Sequence, residues 1–443
     1  MLNPRIPRLS RVHPVQALLF FTLGWLCFVD PIIIYKADIS WYYAVCLFFP
    51  LAVLYTRRWV LSSFSEYICT VGLLIAMALG GILSGHTTKA VIYCAKLAFS
   101  LLFLWPLLRS NPGSLKWLIR GIATLVVANF SLFTLHLVAG LPTATRYAGD
   151  RWGTALSSMG ILGVPGAFIF SYYLVRLIVT KLSLQGVFLA VAGLTISLAS
   201  GSRGVTVLCL MALGAGGLAV FLGRPLSRLY RVTALSLLVC VALVLVARRQ
   251  IVTSSVLTDR VSNFFETSTG IDDDSLNAED PVRYKMVQLA TEAIREHPIR
   301  GAGLLALGVP AEGGEILVIH NRYLGVWSEL GALGFVSLLG IVLSWVPDLW
   351  RMMRRRRITL SVDDRFNLIW TSLALAQFLV FGMFFPMGVQ ISDWLIFLLA
   401  KAQFRRMAVA WRSTQKLRRA GDGRRAFTVV QVPAWPAEQI QSP

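Results

Sequence analysis

The chain is written in long apolar runs. About twelve stretches near the length of one membrane crossing follow one another, at roughly 15–35, 39–56, 66–84, 89–108, 117–139, 154–179, 184–200, 204–222, 231–247, 321–346, 367–386 and 389–404. A bilayer core is crossed by about 20 apolar residues in a helix. The runs are continuous rather than alternating, so they predict helices and not the strands of a barrel. One long polar interval interrupts them, at 248–320. The pattern predicts an all-α, polytopic membrane protein. Spans one to nine fall within 1–247, an extramembrane domain fills 248–320 between spans nine and ten, and spans ten to twelve fall within 321–404. A basic tail follows at 405–443, partly disordered, with disorder expected from about residue 413.

Composition agrees with this frame. Of the 443 residues 56% are hydrophobic and 14% charged, too apolar for a soluble domain. The net charge of +20 raises the question of nucleic acid, and its distribution answers it. With the N-terminus in the cytoplasm, 28 of the 42 lysines and arginines fall on the cytoplasmic side, and every cytoplasmic connection carries at least two. That positive-inside pattern predicts both termini in the cytoplasm and the 248–320 domain outside. The basic excess then faces anionic membrane lipids, and no nucleic-acid partner is expected. The outer interval itself holds 11 acids and 7 bases, again against nucleic acid. All six cysteines lie inside apolar runs, so neither a disulfide nor a cysteine metal site is expected. The basic N-terminal segment leads into a run long enough to span, which predicts a retained helix rather than a cleaved signal.

Candidate chemistry gathers at Pro281–Glu329. Asp280 and Pro281 are helix-start residues, with Val282, Met286, Leu289 and Ala293 on one face and a stop at His297-Pro298. Arg283 falls in the first turn, where the helix dipole disfavours a cation. Arg203 is in the same position after the tight Ser200-Gly201-Ser202-Arg203-Gly204 connection. Such an arginine is either satisfied by a nearby carboxylate or carbonyl, or adds to the dipole in attracting an anion. The recurrence favours a shared phosphate site. His320 stands at the lip of the tenth run beside Asn321 and Arg322, where an imidazole can take a proton from a hydroxyl near neutral pH. His297, at a helix end before Pro298, reads as structural. Plain readings exist for the other polar groups at the outer ends. Asp393 suits a helix N-terminus, and Arg146 can pair with Asp150. Asp272-Asp273-Asp274 reads as a solvated acidic turn, so no metal site is expected.

HPIRGAG at 297–303, followed by IHNRYLGVWSELGALGF at 319–335, resembles the signature region of the bacterial O-antigen ligase and polymerase superfamily. SGSRG at 200–204 is similar to a second feature of that family, and a single large loop between spans nine and ten is similar to the ligase branch. The resemblance implies an inverting glycosyltransferase of the bacterial inner membrane, with its active site on the periplasmic side and neither metal nor cofactor. It implies O-antigen on undecaprenyl pyrophosphate as donor and a hydroxyl of lipid A–core as acceptor, completing lipopolysaccharide. By match to the motifs, Arg203 and Arg283 would hold the donor pyrophosphate. His320 would be the general base or would orient the acceptor. Asn321 and Glu329 also match, Lys89, Arg146 and Asp393 match by position alone, and Arg322 adjoins the histidine.

The residues suit that chemistry. A hydroxyl attacking the anomeric carbon expels a pyrophosphate, whose growing charge guanidinium groups can meet bidentately. An O-antigen or exopolysaccharide polymerase with the same donor is the nearest alternative; one outer loop rather than two favours the ligase. A transporter is the alternative of another class. It predicts paired ionisable groups at mid-membrane and an internal repeat, whereas the notable groups gather at the outer surface and no repeat is found.

Overall fold

A computed structural model describes residues 12–29, 63–147, 151–180, 182–221, 281–310, 316–317, 319–353, 362–387 and 391–422. Thirteen helices make up most of these residues: α1 (Pro14–Leu26), α2 (Phe64–Leu83), α3 (Thr87–Ala98), α4 (Trp105–Ser110), α5 (Leu115–Ala139), α6 (Met159–Val179), α7 (Leu184–Ala199), α8 (Arg203–Phe221), α9 (Pro281–Glu296), α10 (Arg322–Leu343), α11 (Val346–Met353), α12 (Val362–Phe381) and α13 (Ile391–Asp422). Among the described residues, five stretches are long and apolar enough to cross a membrane: Phe64–Leu83, Thr87–Ser110, Leu115–Ala139, Ile161–Val179 and Arg322–Met352. The apolar helices Pro14–Leu26, Leu184–Ala199 and Gly204–Gly216 are shorter. The expected spans at 39–56 and 231–247 lie outside the described residues, as does the polar interval up to residue 280.

Helices in lipid gain little from burying apolar surface against each other, so close backbone approach matters more. α6 and α7 meet in this way. A Cβ on Gly166 would lie 2.8 Å from the carbonyl oxygen of Gly193, and one on Gly193 2.7 Å from that of Gly166. The Ser197 hydroxyl donates to Gly193 O at 2.7 Å and Gly163 O at 3.3 Å, which ties the two helices further.

Four features depart from the sequence reading. The fourth predicted span is not a uniform helix. Phe99–Leu104 forms a π-helical stretch just before Pro106, which has no N–H to donate and whose ring crowds the carbonyl four residues back; a wider turn relieves both. The tenth predicted span, 321–346, breaks at Gly331, where φ is 68° and ψ −168°. Two short antiparallel hairpins interrupt the helices, Ala144–Tyr147 with Arg151–Thr154 and Val309–Pro310 with Ile316–Leu317. Strands this short carry no readable alternation. Finally, α13 runs on past 404 and through 413, where the sequence predicts disorder, to Asp422. Its later part is rich in alanine, glutamine, lysine and arginine, all good helix formers.

A chain of contacts defines one end of the bundle. The Ser157 hydroxyl, just before α6, donates to Phe28 O after α1 at 2.9 Å. Gly163 of α6 packs on Ser200, after α7. Gly204 of α8 packs on Phe384 and Phe385, after α12. The Arg322 N–H, opening α10, donates to Gly382 O at 2.7 Å, and the Leu304 N–H donates to Gly80 O near the end of α2 at 2.9 Å. The candidate residues lie at this end.

Candidate functional site

α7 reverses into α8 through Gly201, whose φ of 60° few other residues adopt. Arg203 is the first residue of α8, and a Cβ on Gly204 beside it would lie 2.7 Å from the Phe385 ring and 3.0 Å from Phe384. The first turn of α8 therefore rests on the turn that follows α12.

α10 starts on that same turn. Asn321 is its N-cap, its side-chain oxygen accepting the N–H groups of Tyr323 at 3.1 Å and Leu324 at 3.0 Å. The Tyr323 hydroxyl donates to Leu379 O at 2.8 Å, so α10 is pinned to the end of α12 at both Arg322 and Tyr323. The Arg322 side chain is 1% exposed. Its guanidinium carbon stands 4.4 Å from the centre of the Phe378 ring and 5.8 Å from that of Trp394. Its Nε and Nη1 have no hydrogen-bond partner among the described residues. Asp393, the third residue of α13, lies within electrostatic reach of it. Asp393 and Phe378 also line a cavity of about 80 Å³ between α6, α8, α12 and α13, together with Phe168, Leu208 and Gln377. His320, half-buried, immediately precedes the cap.

The HPIRGAG segment is built into the break in α10. The Ala302 and Gly303 N–H groups donate to Ser328 O at 2.8 Å and Glu329 O at 3.0 Å. In return the Ala332 N–H donates to Pro298 O at 3.0 Å and Ile299 O at 3.1 Å. The loop thus satisfies the backbone groups that the helix leaves open at Gly331. The Glu329 carboxylate, half-buried, accepts the Leu305 N–H at 3.1 Å. Leu305 has a φ of 59°, a left-handed conformation for which that bond compensates. The Trp327 indole N–H donates to Pro298 O at 3.2 Å.

α9 begins at Pro281, as its sequence predicts, and packs on α10. Met286 and Ala293 of the predicted face are buried and Leu289 is half-buried; Ala290 joins them. Arg283 is the third residue of this helix. Three helices therefore carry an arginine in their first turn, α8, α9 and α10, where each cation adds to the positive end of the dipole. His297 caps the end of α9, its ring nitrogen Nδ1 3.3 Å from Arg300 Nη2, in keeping with a structural role.

The remaining candidates are placed as follows. Lys89 is exposed in the first turn of α3, and Arg146 sits in a hairpin opposite Trp152. No described contact ties either one to the α12–α13 turn. The side chains of Arg146, Arg203 and Arg283 lie outside the described part of the structure, as do residues Asp150 and Asp272–Asp274. The site thus gathers His320, Asn321, Arg322, Asp393 and the start of α8 around Gly382–Asp393, with Glu329 holding the neighbouring loop. Sequence reasoning missed Phe378 and Trp394, which are aromatic positions within apolar runs and look like any other lipid-span residue.

Comparison with curated proteins gives no match. Residues 188–339 span Arg203, Arg283, HPIRGAG, His320 and the break at Gly331, and they match the family model described as O-antigen ligase. By that match the chain belongs to the O-antigen ligase superfamily, whose members are glycosyltransferase-like membrane enzymes acting on lipid-linked sugars.

Proposed function

We propose that the protein is an O-antigen ligase. It transfers polysaccharide from undecaprenyl pyrophosphate to a hydroxyl of lipid A–core, on the periplasmic face of the bacterial inner membrane. Arg203 and Arg283 bind the pyrophosphate, each at the positive end of a helix. His320 takes the proton of the acceptor hydroxyl as its oxygen bonds to the anomeric carbon. The bond from that carbon to the pyrophosphate breaks, and the undecaprenyl pyrophosphate leaves with the electron pair. One displacement inverts the anomeric centre. The arginines meet the charge that a metal would otherwise meet, so the reaction is independent of divalent ions.

The observation that supports this reading is the shared footing of α8 and α10. Both helices open on an arginine, and both rest on Gly382–Phe385, one residue after His320 in the case of α10. Asn321 fixes the helix start beside the histidine, and Arg322 anchors it from within the bundle.

The test is reconstitution in proteoliposomes with lipid-linked O-antigen and lipid A–core. A ligase joins the two and keeps its rate in EDTA. A polymerase instead lengthens the donor chain and ignores lipid A–core. Lengthened donor as the main product, or loss of activity in EDTA with recovery on adding a divalent ion, overturns the proposal.

A further inference from the structure

A second buried charged cluster lies toward the other end of the bundle, and the reaction above does not use it. Glu66, in the first turn of α2, is 3% exposed. Its Oε1 lies 3.0 Å from Lys401 Nζ and 2.7 Å from Arg405 Nη2, both on α13. Its Oε2 accepts the Ser63 N–H at 3.3 Å. Lys401 also donates to Ile341 O at 3.3 Å and stands 4.9 Å from the Trp105 ring. Arg109, near the end of α4, is within electrostatic reach of both Glu66 and Arg405. On α13, Arg405 is 12 residues beyond Asp393, about 18 Å along the helix axis.

The charges in this cluster do not balance. One carboxylate faces three cations, and both of its oxygens are engaged. The next acid along, Asp348, is paired with Arg351 and Arg412 at 3.2 Å each. Uncompensated positive charge in a partly buried site is unfavourable unless an anion completes it. The Nε of Arg405 has no hydrogen-bond partner among the described residues, and its side chain keeps 15% exposure. Arg109 is half-buried, so an outside anion can reach both. Lipid is the source that the surroundings favour. Phe64, Tyr67 and Ile68, flanking Glu66 on α2, are each more than half exposed, as apolar groups facing acyl chains would be.

We propose that Arg109 and Arg405, backed by Lys401, bind the phosphate of an anionic phospholipid headgroup. The positive-inside pattern assigns this end to the cytoplasmic leaflet. Such a lipid would clamp the ends of α2, α4 and α13 together, about a membrane leaflet away from His320.

The experiment follows thermal unfolding of the full-length protein in detergent while phosphatidylglycerol, phosphatidylcholine or inorganic phosphate is titrated. Phosphatidylglycerol should raise the melting temperature and phosphatidylcholine should not. Arg109→Gln should weaken the response to phosphatidylglycerol about fivefold, the effect of one cation near a lipid surface. Lys116→Gln, which removes an exposed cation nearby, should leave it unchanged. Equal stabilisation by phosphatidylcholine, or an unaltered response in Arg109→Gln, overturns the proposal. Inorganic phosphate that stabilises fully, with no added effect of phosphatidylglycerol, overturns the lipid assignment. Native mass spectrometry of the unaltered protein decides the matter if Arg109→Gln does not fold: retained anionic lipid supports the site, and none retained overturns it.

Discussion

Gly301 and Gly331 face each other backbone to backbone. Both have positive φ, 73° and 68°. A side chain on Gly331 would drive into the Ile299 carbonyl, and one on Gly301 into the Glu329 carbonyl. Because N–H groups on each side of the contact bond to carbonyls on the other, HPIRGAG and the break in α10 form one unit. That unit joins α9, which carries Arg283, to α10, which carries His320. It sets the relative placement of the proposed phosphate ligand and the proposed base.

Gly331→Ala should therefore destabilise the protein by at least about 2 kcal/mol, from the left-handed backbone and the clash together. Thermal unfolding in detergent reads this, and transfer activity should fall with it. Gly214→Ala is the control. A Cβ there meets nothing within 4 Å, so its change should stay within about 0.5 kcal/mol. Equal melting temperatures for the two variants would mean that the interlock contributes nothing.

The contrast between α9 and α10 indicates how far the sequence alone reaches. α9 was legible because its start residues, its apolar face and its proline stop are local signals. The break at Gly331 was not, because glycine is common in membrane helices and the carbonyls that fill the break come from residues 298 and 299. His320 and Asn321 were legible as a polar lip on an apolar run. The burial of Arg322 was not: the same lip position predicts a solvated arginine, and only the packing of Phe378 and Trp394 encloses it. The exposed cations expected at Lys401 and Arg405 misled in the same way, since Glu66, which pairs with both, lies more than 300 residues earlier in the chain.

Glu329 provides a second test. Its carboxylate accepts one backbone N–H, from a leucine in a left-handed conformation. A glutamine retains an acceptor at that place and an alanine does not. Glu329→Gln should keep most of the stability and activity, whereas Glu329→Ala should lose about 1.5–3 kcal/mol of stability. If glutamine abolishes transfer while the protein stays folded, Glu329 acts in the chemistry rather than in holding the loop.

Arg322 and Asp393 should prove coupled. Removing the guanidinium leaves the Asp393 carboxylate without its cation, and removing the carboxylate leaves a buried arginine with aromatic faces alone. A double-mutant cycle with Arg322→Met and Asp393→Asn, read by thermal unfolding, should give a coupling of about 1–2 kcal/mol. The half-exposed position of Asp393 keeps it from being larger. Costs that simply add, within about 0.5 kcal/mol, would separate the two residues.

His320 bears on the chemistry most directly. General-base assistance is typically worth about 10²–10⁴-fold, so His320→Ala should slow transfer by that factor while leaving donor binding largely intact. The sign of the pH dependence follows from the role. A protonated imidazole cannot accept the acceptor's proton, so the rate should fall as pH drops through the range where histidine takes up a proton. That acid limb should vanish in His320→Ala, whose residual rate no longer depends on this group. Single-turnover rates from pH 5 to 8 in proteoliposomes supply the comparison. A limb that survives the substitution belongs to another group, and His320 is then left with orienting the acceptor at the lip of α10.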